Sequence, residues 1–94
     1  NATYAGGPWG IGAWLAFAKS RGKLFACPEW GISAGEAPGT IDNPVYIQKM
    51  FDFFSANRSY IAYENYFNQK PRHQLTPSSQ NPLASAMYRQ LWGV

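Results

Sequence analysis

Two short hydrophobic stretches of this chain each carry a glutamate. The first reads KLFACPEWGIS and places Glu29 after an apolar run, directly before Trp30 and Gly31. The second reads SYIAYENYFN and contains Glu64. A carboxylate at the end of a buried strand is either a solvated surface acid or a group held at a pocket for nucleophilic or acid–base chemistry. The residue pattern alone leaves both interpretations open for Glu29.

The other reactive side chains indicate neither metal nor thiol chemistry. The single cysteine, Cys27, lies inside the first apolar run, where we expect a small buried hydrophobe rather than a nucleophile. The single histidine, His73, lies in a polar loop, where we expect a surface residue rather than a metal ligand. We therefore predict no metal and no cofactor.

Charge and hydropathy exclude two classes of partner. The net charge is +3, but the eight Lys and Arg residues are scattered and form no basic stripe, so we expect no nucleic-acid binding. No apolar stretch approaches the ~20 residues of a membrane span, so we expect no membrane insertion.

Three helices are predicted from the spacing of apolar residues. The segment GIGAWLAFAKSRG carries apolar residues at i, i+3, i+4 and i+7 and ends at Gly22. The other two helices each open on an Asn-Pro pair, at Asn43 and Asn81, which suits an N-cap followed by the first helical position. The predicted buried faces are Ile11, Trp14, Leu15 and Ala18, then Ile47, Met50, Phe51 and Phe54, then Ala84, Met87, Tyr88 and Leu91.

Two strands alternate with these helices. KLFACPE is a nearly continuous apolar run, typical of a strand that is buried on both faces, and SYIAYENYFN is rich in β-branched and aromatic residues. Each strand is followed by a loop and an Asn-Pro helix, so the chain contains two similar units in the order helix, strand, helix, strand, helix. A crossover of this kind predicts parallel strands joined with right-handed connectivity.

Two parallel strands do not make a complete sheet, because their apolar edges stay exposed. Apolar residues make up 46% of the 94-residue chain and aromatic residues 17%, more than a small core needs. We therefore expect residues 1–94 to be one portion of a larger single α/β domain, either an open parallel sheet or a (β/α)₈ TIM barrel. The first residue, Asn1, is not a methionine and no signal peptide follows it, so we expect that Asn1 is not the natural start of the protein.

Four stretches of the chain resemble the C-terminal end of glycoside hydrolase family 26. They read KLFACPEWGI, DNPVYIQKMFDFF, YIAYENYFN and NPLASAMYRQLW, and the resemblance extends from about Trp9 to Trp92. The family contains β-mannanases and related endo-β-glycanases of the (β/α)₈-barrel clan. The resemblance implies that this chain holds strands seven and eight with helices six, seven and eight, and that its structural partner is the remaining barrel segment.

The resemblance also implies an activity and a catalytic residue. Members of the clan are retaining glycosidases whose nucleophile is a glutamate at the C-terminal end of strand seven, the position that Glu29 matches. In such enzymes a second carboxylate about 5–5.5 Å away acts as acid and then as base. The clan places that residue on strand four, outside this chain, so we expect the chain alone to be inactive.

Three further residues are candidates for sugar binding. Trp30 offers an aromatic face that suits a sugar ring, although core packing explains it equally well. Alternation along the second strand places Glu64 and Tyr66 on one side. A buried acid needs a partner, so we favour a supporting role for Glu64 over a hydrogen bond to substrate or a catalytic pair with Glu29. The resemblance implies that Tyr66 is an aromatic platform for sugar.

The leading hypothesis is thus a fragment of a secreted endo-1,4-β-mannanase acting on a β-linked polysaccharide or oligosaccharide. Two alternatives remain. One is a β-glucanase or cellulase of the same clan. The other is a non-catalytic carbohydrate-binding or interaction module that is rich in exposed aromatic residues.

Overall fold

The computed structural model describes residues 10–35, 40–69, 72–76 and 80–93. Its elements in chain order are α1 (Ile11–Ser20), β1 (Phe25–Trp30), α2 (Pro44–Ala56), a short 3₁₀ turn (Arg58–Tyr60), β2 (Ile61–Tyr66) and α3 (Pro82–Trp92). β1 and β2 pair in parallel. The predicted order of helices and strands is confirmed, and the chain is a small mixed α/β unit built on a two-stranded parallel sheet.

The two Asn-Pro helices start in different ways. At α2, the side-chain Oδ1 of Asn43 accepts a hydrogen bond of 3.1 Å from the backbone N–H of Tyr46, as predicted for an N-cap. At α3, Asn81 occupies the same position but its side chain caps nothing. It is 1% exposed and donates instead to the carbonyl oxygens of Arg72 and Gln74. The sequence repeat therefore hides two different uses of the same residue.

A distant carboxylate caps α3 in place of Asn81. The two oxygens of Asp42 accept hydrogen bonds of 2.8 Å from the backbone N–H groups of Leu83 and Ala84. These donors belong to the first helical turn, which has no partners within the helix itself. Because Asp42 directly precedes the cap of α2, one loop fixes the starts of both helices.

The strands are not in simple register. Cys27 lies opposite Glu64 and Trp30 lies opposite Tyr66, so three steps along β1 match two steps along β2. Between these two pairs β1 contains one extra residue, which forms a bulge just before the strand ends. An opposite shift occurs at the start of the ladder, where Phe25 lies opposite Ile61 and Ala26 lies opposite Tyr63. Bulges bend a strand locally and change the direction of the side chains that they carry.

The core lies between the sheet and the two later helices. Its buried members are Trp30, Ile32, Ile47, Met50, Phe54, Leu75 and Ala84. The predicted face of α3 contributes to it as expected. The predicted face of α2 does so except at Phe51, which is half-buried and lies outside this cluster with its ring against Trp92. The predicted face of α1 is wrong at Trp14, which is 50% exposed, whereas Leu15 is buried. Trp14 stands at the rim of a cleft beside β1 instead of packing onto the sheet.

Candidate functional site

Glu29 is the penultimate residue of β1 and its side chain is exposed. It lies with Pro28 in the bulge of that strand. Proline has no N–H to donate to a ladder, so within sheets it occurs at edges and bulges. The local sequence Pro28-Glu29 thus explains why the pairing is interrupted here. The bulge places a carboxylate in an accessible position at the C-terminal end of a parallel strand.

An open cleft of about 420 Å³ adjoins Glu29. The volume lies within the 300–1,000 Å³ typical of small-molecule sites. The lining is mainly apolar and comes from three elements: Ile11 and Trp14 of α1, Phe25, Cys27, Glu29 and Trp30 of β1, Gly31 after the strand, and Tyr46 and Met50 of α2. Among these lining residues, Glu29 supplies a carboxylate. An exposed indole and a carboxylate therefore share one apolar cleft.

Trp30 is part of the core rather than of the surface. Its side chain is 6% exposed, and its ring meets the rings of Tyr46, Phe54, Tyr66, Tyr88 and Trp92 at centroid distances between 5.0 and 6.4 Å. Its indole Nε1–H donates a hydrogen bond of 2.6 Å to Oε1 of Glu64. Of the two interpretations of Trp30, these contacts favour core packing.

Glu64 is held by two tryptophans. In addition to the bond from Trp30, its Oε2 accepts a hydrogen bond of 3.1 Å from Nε1–H of Trp92. Glu64 is half-buried and lies on the face of β2 that is covered by the helices, while its neighbours Tyr63 and Asn65 are exposed. The predicted alternation is thus present from Tyr63 to Tyr66, whereas Ala62, which was expected on the same side as Glu64, is exposed. A half-buried carboxylate with both oxygens engaged satisfies the requirement that buried charge be paired or hydrogen-bonded.

The charge of Glu64 influences its surroundings. Burial raises the pKa of the Cys27 thiol and of the Tyr88 hydroxyl, and the negative charge of Glu64 raises both further. Cys27 is half-buried and packs against the core, as expected for a small hydrophobe. A raised thiol pKa leaves little thiolate at neutral pH, so Cys27 is a poor nucleophile.

Tyr66 ties the end of β2 to the loop after β1. Its hydroxyl donates a hydrogen bond of 2.6 Å to the carbonyl of His73 and accepts one of 3.3 Å from the backbone N–H of Ile32. Burial raises the pKa of Tyr66 to about 12. A methyl group at Gly31 would lie 3.4 Å from the Tyr66 ring, an ordinary van der Waals contact, so the loop after β1 passes directly over the ring. Tyr66 therefore connects three segments around Glu29.

His73 has a structural contact that the sequence does not reveal. We expected a surface residue, but the side chain is half-buried, packs edge-on against Phe67 at 5.1 Å and donates from Nδ1 to the carbonyl of Ile32 at 2.6 Å. The expectation was wrong because the loop after β2 folds back onto the loop after β1. The two loops thus support each other at the C-terminal edge of the sheet.

A second cleft, of about 300 Å³, also borders Tyr46. Polar and apolar residues line it together, namely Gly31, Ile32, Ser33, Thr40, Ile41, Asn43 and Tyr46. The two clefts share Gly31 and Tyr46, so both lie at the C-terminal edge of the sheet. This edge is where parallel α/β folds bind their ligands.

The described ranges hold neither a candidate metal site nor a candidate membrane span. No group of three or more His, Cys, Asp or Glu side chains in them is arranged to hold a metal ion. Of the helices in those ranges, none has the length and apolarity required to cross a membrane.

Comparison with known proteins adds no family assignment. The chain matches no protein-family model, no curated protein and no solved structure.

Proposed function

We propose that this chain is the C-terminal part of a retaining endo-β-glycanase, with β-1,4-mannan as the leading substrate and Glu29 as the nucleophile. The observation that carries the proposal is the position of Glu29. It is an exposed carboxylate at the C-terminal end of a parallel strand, beside a cleft that also exposes an indole. In a retaining mechanism this carboxylate attacks the anomeric carbon and forms a glycosyl ester, which water then hydrolyses.

The sheet supports the proposal that the chain is part of a larger (β/α)₈ barrel. Within the described ranges the sheet has two strands, so β1 and β2 each have an unpaired edge. Exposed parallel edges are rare in complete domains, because unpaired N–H and C=O groups attract other strands. The exposed Trp14, Phe17 and Tyr63 are further apolar surface that additional elements would cover. In a barrel the face of β2 opposite the helices, with Tyr63 and Asn65, would point inward.

The acid/base residue of the proposed reaction is expected outside this chain. Glu64 is a weak candidate for it, because both of its carboxylate oxygens accept hydrogen bonds from indoles. A general acid/base must exchange a proton with substrate, which requires at least one free and accessible oxygen. We therefore keep Glu64 in a supporting role and propose that the second carboxylate comes from strand four of the barrel.

The proposal is tested by kinetics on the longer protein that supplies the missing strands. Glu29→Ala is expected to abolish hydrolysis of β-1,4-mannan, and added azide is expected to restore turnover with formation of a glycosyl azide. The small anion fits the space left by the carboxylate and attacks the same carbon, so rescue identifies the nucleophile. Activity that survives in Glu29→Ala without azide would exclude Glu29 from this role.

A matched control is available on α2. Asp52 is an exposed carboxylate that accepts a hydrogen bond from the side chain of Gln48. Asp52→Ala is expected to leave kcat and KM unchanged, since the residue lies away from the cleft. Parallel assays on β-1,4-glucan distinguish a mannanase from a β-glucanase or cellulase of the same clan.

The half-exposed Trp14 favours a second candidate function, carbohydrate binding without catalysis. Aromatic side chains present a large rigid apolar surface, and Trp14 is 50% exposed in an apolar cleft where its ring can stack on a sugar. Titration of the 94-residue chain with mannohexaose and cellohexaose separates the two functions. Binding that is lost in Trp14→Ala, unchanged in Glu29→Gln and accompanied by no turnover in the longer protein would favour a binding module.

A further inference from the structure

The bulge that carries Glu29 is bounded by two residue pairs. Cys27 lies opposite Glu64 before the bulge, and Trp30 lies opposite Tyr66 after it. The side chain of Glu64 reaches across this interval, because its Oε1 accepts the indole N–H of Trp30 at 2.6 Å. One residue of β2 therefore contacts β1 on both sides of the extra residue, by strand pairing before it and by a side-chain hydrogen bond after it.

We propose that Glu64 is a positioning residue for Glu29. It fixes the C-terminal end of the bulge through Trp30 and so sets the direction in which the bulge presents the Glu29 carboxylate. This inference rests on the proposed function in one respect, namely that Glu29 acts as the nucleophile. The arrangement itself belongs to the folded chain and can be measured without any activity.

The choice of a carboxylate at this position has a chemical reason. Two indole N–H groups, from Trp30 and Trp92, converge on Glu64, and an indole can only donate. An ionised carboxylate has two oxygens and accepts both. The side chain of glutamine has the same shape but offers one oxygen and one NH₂ group, which would oppose an indole donor. Glu64→Gln therefore removes one acceptor with little change in volume.

The two indole bonds are expected to have different consequences. Trp30 is the last residue of β1, and its carbonyl accepts a hydrogen bond of 2.7 Å from the backbone N–H of Phe67. Trp92 is the last residue of α3 and has no place in the bulge. The bond to Trp30 should therefore control the end of the bulge, whereas the bond to Trp92 joins α3 to the sheet.

The experiment uses the ¹⁵N-labelled 94-residue chain, with indole signals assigned from single Trp→Phe variants. In Glu64→Gln, the indole signal of Trp30 or of Trp92 is expected to move upfield. If the Trp30 signal is the one that moves, the amide of Phe67 is expected to exchange with solvent roughly tenfold faster, the factor corresponding to loss of one hydrogen bond to a charged group. If the Trp92 signal moves instead, the Phe67 amide is expected to keep its exchange rate. Amides in the middle of α2, such as that of Met50, should keep their exchange rates. Asp52→Asn should change none of these signals.

Two further variants keep the proposal testable if Glu64→Gln does not fold. Trp30→Phe and Trp92→Phe each remove one indole donor and retain an aromatic ring in the core. Faster exchange of the Phe67 amide in Trp30→Phe, but not in Trp92→Phe, would support the positioning role.

Three results would overturn the proposal: unchanged indole signals in Glu64→Gln, equal acceleration of the Phe67 and Met50 amides, or equal effects of the two Trp→Phe variants. The second of these would mean that Glu64 only stabilises the whole fold. All three are independent of the azide-rescue assay, so failure of this proposal and failure of the proposed nucleophile are distinguishable.

Discussion

The ends of the two parallel strands use the same residue type in opposite ways. At the end of β1, Glu29 is exposed beside an open cleft. On β2, Glu64 lies beneath the helices and accepts hydrogen bonds from two indoles. The residue type does not explain why one side chain is exposed and the other engaged, since both are glutamates in mainly apolar strands. The difference comes from the bulge in β1 and from the helices that cover one face of β2.

The two glutamates therefore have different roles, one available for chemistry and the other stabilising the fold. An exposed acid beside a cleft is available for chemistry but contributes little to folding. An acid that satisfies two half-buried donors contributes to folding but has no free oxygen for proton transfer. Trp30 joins the two regions, because it follows Glu29 in sequence and donates to Glu64 in space.

The largest expected effect on stability comes from removing the side chain of Trp30. Trp30→Ala should lower the free energy of unfolding by about 3–5 kcal/mol, the usual cost of truncating a buried large aromatic. Trp14→Ala is the matched control and should cost about 1 kcal/mol or less, because Trp14 is half exposed. Urea unfolding followed by circular dichroism measures both. Similar losses for the two variants would show that Trp30 is not the centre of the core.

The next largest effect on stability is the difference between alanine variants of the two glutamates. Glu64→Ala should lower the free energy of unfolding by about 2–3 kcal/mol, because it leaves two indole N–H groups without their acceptor. Glu29→Ala should change it by no more than about 0.5 kcal/mol, as for most exposed positions. Equal changes in denaturant unfolding would remove the distinction between the two strand ends.

A smaller, pH-dependent effect is expected at the end of β2. An unfolded tyrosine ionises near its ordinary pKa of 10.0, whereas Tyr66 in the folded chain keeps its proton to about pH 12. Between these values the folded chain binds more protons than the unfolded chain, so stability falls as the pH rises through this window. The raised pKa of Tyr88 acts in the same direction.

Thermal unfolding between pH 8 and pH 12 tests this expectation. Tyr66→Phe should lose about 1–2 kcal/mol at neutral pH, because the hydroxyl bonds to His73 and Ile32 are absent. The same variant should show a shallower alkaline decline than the wild type. An identical alkaline profile in both chains would contradict the assignment to Tyr66.

The smallest expected effect concerns the starts of the helices behind the two strands. Asp42→Ala should cost about 1 kcal/mol, since it removes the acceptor of two N–H groups in the first turn of α3. Asn43→Ala should cost a similar amount at α2. Differential denaturant unfolding with Asp52→Ala as an exposed control measures both, and a neutral Asp42→Ala would show that α3 does not need its distant cap.

Much of the fold follows from local pattern. The apolar spacing of α2 and α3 and the Asn43 cap predict those helices correctly, because caps and helical faces depend on residues within a turn or two. The cap of α3 was not predictable in the same way. Asp42 lies about 40 residues before the N–H groups that it accepts, so no local signal links them.

The candidate site was predicted in part. The position of Glu29 near the end of a strand was visible in KLFACPEWG, and the structure places it there. The hydrogen bond from Trp30 to Glu64 and the half-buried position of His73 were not visible, because they depend on contacts between residues more than thirty positions apart. No sequence pattern indicates that a tryptophan in one strand donates a hydrogen bond to a glutamate in another.

Sequence by itself determined the order of helices and strands, the parallel pairing, and the presence of an acid near each strand end. These properties depend on periodicity, turn residues and the handedness of the crossover. Tertiary structure alone decided which acid is exposed and which is engaged. The bulge at Pro28 exposes Glu29, and the approach of Trp30 and Trp92 engages Glu64. Both effects arise only when folding brings distant residues together, because accessibility and hydrogen bonding depend on spatial neighbours.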